Sequence, residues 1–326
     1  MKKILILSIL AINILFCSNT SIYTDAKLGI QMIEKSGIVF VATEKMNRLI
    51  RGSRVVNTSA LFSSSILGKM PCSPLYSCPL EVEKQFSELG IKKDDFLVLY
   101  DKSYGVYAST LYTLLKSLGH KNITILDGGI EAILKLDPNQ KLYNKYMHKL
   151  VSLTPKDKSL IDDIQKRLDI LKPHLLVQKS FLESNKSVEK ESYQVNKEGD
   201  ISFLLSAIDL QKLVERVQNN SENNITIVDS CPMVDIVGNS YGSYEVGVTP
   251  FSWKKLIDVN ENRLKDKEKL TKTFSTFSKE KEYALYCMEN SNKALFMMTV
   301  MYQLGFNKVK AFTGNWSVWT GGKNEQ

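Results

Sequence analysis

The strongest constraint on this chain is that it repeats itself. Residues 98–129, VLYDKSYGVYASTLYTLLKSLGHKNITILDGG, align without a gap on residues 284–315, ALYCMENSNKALFMMTVMYQLGFNKVKAFTGN. Tyr100 meets Tyr286, Ala108 meets Ala294, Thr113 meets Thr299, Leu118 meets Leu304, Gly119 meets Gly305 and Gly128 meets Gly314. Two copies of one such segment, far apart in the chain, mean two copies of one folding unit.

Each copy has the same local grammar. A short apolar strand ends at a polar loop, an amphipathic helix follows, a Gly stops the helix, and a second apolar strand ends in a turn that contains Gly. Strand, helix, strand in that order makes a right-handed crossover between parallel strands. Upstream, GIVFVAT and NITIVDS add a strand to each copy, and LEVEKQFSELG and AIDLQKLVERVQ add a helix. The fold class is therefore α/β, with two tandem domains, each a mainly parallel sheet flanked by helices. The boundaries read as 27–141 for the first domain and 201–326 for the second. Between them, 142–200 reads as a charged connector with one helix, KSLIDDIQKRLDILK, followed by a flexible, solvated stretch without evident chemistry.

Length and composition fit this division. The 326 residues suffice for two domains with their own cores, and 43% apolar with 24% charged residues is a globular balance. The net charge of +8 is spread through the chain without basic runs or interleaved aromatics, so it reads as surface solvation and excludes a nucleic-acid partner. The start, MKK then ILILSILAINILF, reads as an export signal over residues 1–26, with an apolar stretch too short for a stable span. Two ways of ending it stand open: cleavage after Ala26, or lipidation at Cys17 as in a bacterial lipoprotein, against which Phe16 argues. Either places the mature chain outside the cytoplasm, in the periplasm or envelope, with no later membrane span. In an oxidising compartment Cys72 and Cys78, in CSPLYSC, stand as a local disulfide or two free thiols. Cys231 and Cys287 remain for chemistry.

Within the repeat, Cys287 stands where the first copy has Asp101. These residues resemble the rhodanese superfamily, specifically the two-domain sulfurtransferases acting on thiosulfate or mercaptopyruvate. The resemblance rests on FSELGIKKDDFLVLYD and SLGHKNITILDGG in the first domain and VKAFTGNWSVW in the second, with Cys287 at the family's catalytic cysteine and Asp101 where the inactive N-terminal domain usually carries an Asp. It implies a small sulfur donor, a thiol or cyanide-like acceptor, a Cys287 persulfide, no cofactor and a monomer. The family's Asp-Ala-Arg strand end appears as Asp229-Ser230-Cys231, and its Gly-His turns survive only as Gly52 and Gly247.

Sulfur transfer needs a thiolate whose negative charge is stabilised before and after it takes the sulfur. A loop of backbone N–H groups running into a helix N-terminus does this, and it lowers the thiol pKa. The loop here is Met288, Glu289, Asn290, Ser291, Asn292 and Lys293, with Asn290, Ser291 or Asn292 as the helix cap. It lacks the family's Gly and the Arg or Lys beside the cysteine. Glu289 would repel an anionic donor if it faced the pocket, and Lys293 is the loop's one cation. Cys, five residues, then Lys also approaches the phosphatase pattern, but Lys lacks the planar fork of Arg. His120, His148 and His174 are not placed to act on Cys287, which removes acyl transfer, and no metal-ligand spacing exists. Asp229 reads as a support for the loop, Trp316 and Trp319 as core, and Cys231 as a small buried thiol or as a partner of Cys287 in a reversible disulfide or persulfide relay. The alternative to an enzyme is a non-catalytic rhodanese-like scaffold of the envelope.

Overall fold

The computed structural model describes residues 21–56, 58–61, 79–102, 104–180, 188–196, 200–219, 224–232, 247–287 and 291–313. In the first half, β1 (Tyr23–Thr24), α1 (Ala26–Met32), β2 (Ile38–Ala42), β3 (Arg48–Ile50), β4 (Arg54–Val55), α2 (Thr58–Leu61) and α3 (Pro79–Glu88) precede β5 (Phe96–Tyr100), α4 (Val106–Ser117), β6 (Ile123–Leu126) and α5 (Gly129–Leu136). Then come α6 (Pro138–Val151), α7 (Lys158–Leu171) and β7 (Val177–Lys179). The second half has β8 (Leu204–Leu205), α8 (Ala207–Gln218), β9 (Ile225–Asp229), β10 (Val248–Pro250), β11 (Ile257–Asp258), β12 (Arg263–Leu264), α9 (Lys267–Thr273), β13 (Glu282–Tyr286), α10 (Asn292–Gln303) and β14 (Val309–Phe312).

The two main sheets have one topology. The first runs β1-β6-β5-β2-β4 and the second β8-β14-β13-β9-β10, and every pairing in both is parallel. Matching registers carry the repeat beyond the aligned segment: Ala42 pairs with Tyr100 as Asp229 pairs with Tyr286. The central strands FLVLY and EYALY are covered on both faces, which is why they read as apolar runs without alternation. The helices α4 and α10 end as the sequence implies, with Gly119 and Gly305 following in the left-handed conformation (φ +76° and +86°).

These same two helices join the domains. α10 buries every residue from Ala294 to Met301, because one side packs on its own sheet and the other on α4 of the first domain. Tyr23 reaches across this interface, its hydroxyl 2.7 Å from Thr299 Oγ1 and 3.1 Å from Ser109 Oγ. Farther along, the Leu264 N–H donates to Asp127 Oδ1 at 2.8 Å, and Lys135 pairs with Glu261.

Two expected boundaries move. Residues 23–26 are built into the first domain: Tyr23–Thr24 is an edge strand on β6, and Asp25 caps α1 by accepting the N–H groups of Lys27 and Leu28. Leu204–Leu205 and the Ser206 cap repeat that arrangement in the second domain. A signal ending at Ala26 would cut through this unit, so the folded domain begins before residue 27. Cys17, Cys72 and Cys78 lie outside the described residues. Among the described residues no helix is long and apolar enough to cross a membrane.

The second correction concerns 142–200. Its described residues hold two helices rather than one, since α6 continues from Pro138 through the expected boundary, and a strand besides. β7 pairs antiparallel with β3, and Asp137 fastens the return by accepting the Leu176 N–H at 2.9 Å. Residues 188–196 pack onto the first domain: the Glu191 and Asn196 N–H groups donate to Ser87 O and Leu118 O, and Tyr193 is buried against Phe86 and His120.

Candidate active site

The chemistry-bearing residues gather at the C-terminal ends of the central strands, where an open α/β sheet presents its loops. In the first domain Asp101 follows β5 directly and is buried. Its carboxylate accepts the N–H of Gly105 on Oδ1 at 3.0 Å, and those of Tyr107 and Ala108 on Oδ2 at 3.0 and 3.3 Å. Three amides at the start of α4 therefore converge on one anion.

Cys287 follows β13 as Asp101 follows β5, and α10 begins the same distance beyond it as α4 begins beyond Asp101. The amides that correspond to those on Asp101 belong to Ser291, Lys293 and Ala294. The loops still differ. Gly105 takes φ +85° before its helix, while Ser291 takes φ −67° at the equivalent position. Ser291 is the N-cap, yet its hydroxyl makes no capping hydrogen bond. Asn292 does not cap either: its Oδ1 accepts the Thr110 hydroxyl of the first domain at 3.1 Å. Met288, Glu289 and Asn290 lie outside the described residues, as do Trp316 and Trp319.

The sequence left Cys231 and Cys287 as two candidate partners, and the structure joins them in a disulfide with Cα atoms 5.2 Å apart. The backbone prepares that contact. Both the N–H and the hydroxyl of Ser230 donate to Tyr286 O, at 2.8 and 2.6 Å, and Asp229 Oδ1 accepts the Cys231 N–H at 3.0 Å. Asp229 thus holds the turn that carries Cys231. Both cysteines are nearly closed to solvent, Cys287 at 1% and Cys231 at 6% exposure.

A cavity of about 330 Å3 opens between the domains, lined by Glu44, Asp101 and Lys102 from the first and Trp253, Asn292 and Lys293 from the second. Lys293 Nζ lies 6.0 Å from the Trp253 ring centroid. Trp253 in turn packs edge-on against Phe296 and Tyr104. Burial raises the Glu44 pKa, and the nearby Asp101 charge raises it further. The cavity therefore carries acidic and basic groups together.

Residues 45–136 match the family described as Rhodanese-like domain. Solved structures extend the likeness over both halves. The 3-mercaptopyruvate sulfotransferase SseA of Escherichia coli superposes with a TM-score of 0.61 at 17% identity, covering 91% of this chain and 100% of its own. Tum1 of Saccharomyces cerevisiae gives 0.61 at 15% identity, covering 93% and 96%. A sulfur transferase subunit of yeast mitochondrial complex I gives 0.64 at 16%, covering 92% and 96%. This chain is a tandem rhodanese-fold protein. No curated protein matches the sequence.

Two features of this rhodanese-fold site were not read from the sequence. Trp253 was not singled out, because it follows the second sheet's edge strand by only a few residues and nothing local marks it as facing the other domain. Glu44 was missed for a related reason. The Thr43 N–H donates to Tyr100 O as the Ser230 N–H donates to Tyr286 O, so Glu44 is the counterpart of Cys231. Only strand register reveals that pairing. His120 stays remote from Cys287, bonded to Tyr193 Oη and Asp95 O.

Proposed function

We propose that the chain is a sulfurtransferase that moves a sulfane sulfur from a donor of the thiosulfate or 3-mercaptopyruvate class to a thiol or cyanide-like acceptor through a Cys287 persulfide. The observation that carries the reading is the Asp101 cradle. In the sister domain, the position equivalent to Cys287 takes a buried negative charge stabilised by three helix-terminal amides. An Asp and a cysteine thiolate ask the same thing of such a loop. Reduced Cys287 stands ahead of the α10 N-terminus, whose amides favour a negative charge on its sulfur. Its thiolate attacks the outer sulfur of the donor, sulfite or the pyruvate enolate leaves with the electron pair, and the sulfur stays on Cys287. Lys293 and the amides of α10 offset the charge of the anionic donor. The relatives whose names mention sulfur transfer support this class of reaction.

The Cys231–Cys287 bond makes reduction a precondition of loading. The deciding experiment is intact mass spectrometry of the dithiol-reduced chain after thiosulfate or 3-mercaptopyruvate. A gain of one sulfur in Cys231→Ser that vanishes in Cys231→Ser/Cys287→Ser supports the enzyme, and an unmodified Cys287 with either donor removes it.

A second reading rests on the same disulfide. A cysteine at 1% exposure that is already bonded suits a structural role, and the chain would then be a non-catalytic rhodanese-like scaffold. It predicts that reducing the bond loosens the fold without making Cys287 reactive toward either donor. We further propose, from the apolar start of the sequence, that the chain is exported to the periplasm or envelope and works there as a monomer.

A further inference from the structure

We propose that Cys231 is a resolving thiol: it attacks the Cys287 persulfide, releases the carried sulfur as hydrosulfide, and leaves the Cys231–Cys287 disulfide as the end state of each turnover. The proposal rests on the persulfide reading above and adds to it the fate of the sulfur.

Three observations point this way. First, the approach of the two sulfurs is set by backbone. Parallel register puts Asp229 opposite Tyr286, the Ser230 N–H and hydroxyl clamp Tyr286 O, and Asp229 receives the Cys231 N–H. The resulting Cα separation of 5.2 Å lies within the range in which two cysteines bond without moving the chain. A thiol held there acts at high effective concentration. Second, the fold needs sulfur at neither position. The sister domain has Glu44 and Asp101 in the two equivalent places on the same framework. Third, both cysteines are nearly closed to solvent in the bonded state and lie directly against each other, so Cys231 is a thiol already in place beside the Cys287 sulfur.

The step balances. Cys231 thiolate forms a bond to Cys287 Sγ, the bond from that Sγ to the outer sulfur breaks, and the electron pair leaves on the outer sulfur, which takes up the proton given by the Cys231 thiol. Hydrosulfide is a weaker base than an alkyl thiolate and is the better leaving group. The persulfide is reduced and the two cysteines are oxidised by two electrons. A dithiol reductant from solution then restores both thiols, one equivalent per turnover.

The test uses the full chain, reduced with a small dithiol, freed of it without air, and given thiosulfate or 3-mercaptopyruvate. The wild type should release one equivalent of hydrosulfide, stop, show the 231–287 disulfide on non-reducing peptide mapping, and resume when dithiol is added. Cys231→Ser and Cys231→Ala should hold the extra sulfur on Cys287, with hydrosulfide release slower by roughly two orders of magnitude or more. A wild type that keeps its persulfide as long as these variants overturns the role of Cys231 and leaves the sulfurtransferase intact. If neither wild type nor variants take sulfur from either donor, both proposals fall. An independent check runs the step backwards: sodium hydrosulfide added to the oxidised wild type should place a persulfide on Cys287, and one found on Cys231 instead overturns the assignment.

Discussion

Asp101 and Cys287 hold the same place in two sheets of identical strand order, each directly after a central strand and ahead of a helix that forms half of the domain interface. The Asp side chain is an acceptor for three helix-start amides. Asp101→Ala leaves those buried donors unsatisfied and should destabilise the chain by about 2 kcal/mol. Asp101→Asn keeps an acceptor oxygen and should cost less. Urea denaturation of the two variants, compared at constant m-value, checks the order.

A half-buried carboxyl and a buried imidazole make opposite contributions to stability over the same pH range. Burial raises the Asp127 pKa to about 6, against which the Leu264 N–H and Arg263 act. The folded chain then binds a proton that the unfolded chain has released, so this term falls as pH rises from about 4 to about 6. Burial lowers His120 to about 4. There the unfolded chain binds the extra proton, so stability rises from about pH 4 to about 6.5. Each term is on the order of 3 kcal/mol at full effect. Asp127→Asn should steepen the gain in stability with pH, and His120→Gln should reverse it. Thermal melts at intervals between pH 4 and 7 read both slopes, and matching slopes in the two variants would refute the assignment.

Elements with strong local signals were legible in the sequence. AIDLQKLVERVQ became a helix over just those residues, with a Ser206–Asp209 capping box ahead of apolar spacing. NITIL and KVKAF became the strands after the two joining helices. The connector was misread because its order comes from elsewhere. Residues 188–196 are polar apart from a few positions, and they are held by Ser87, Leu118 and His120 from distant parts of the chain. The candidate site divided in the same way. Cys287 and Asp101 could be found because the repeat aligns them without a gap. The contact of Cys231 with Cys287 stood in the sequence as one of two alternatives, while Glu44 and Trp253 depend on pairing between strands that no local pattern records.

That anchoring of the connector can be tested at Tyr193. Its hydroxyl lies 2.8 Å from His120 Nδ1 and its ring packs 4.9 Å from Phe86. Tyr193→Phe loses one buried hydrogen bond and should cost about 1 kcal/mol. Tyr193→Ala also loses the packed ring, at about 3 to 5 kcal/mol, and should expose residues 188–196 to limited proteolysis that spares the Phe variant. Equal cleavage of both variants would show that the ring does not hold the segment.

The start of the folded domain yields a sharper comparison, because one tyrosine there touches both domains. Ile22 donates its N–H to Gln303 Oε1 at 2.7 Å, Tyr23 bridges Ser109 and Thr299, and Asp25 caps the first helix. A chain beginning at residue 27 loses all of these with the edge strand, while one beginning at residue 21 keeps them. The shorter chain should be less stable by about 3 kcal/mol or more, a fall of roughly 6 to 12 °C in Tm. Tyr23→Phe in the longer chain removes only the hydroxyl and should cost about 1 kcal/mol. Because the lost contacts cross the domain interface, calorimetry of the shorter chain should also show the two domains melting less cooperatively. Equal Tm values for the two lengths would mean that the domain does not depend on residues 21–26.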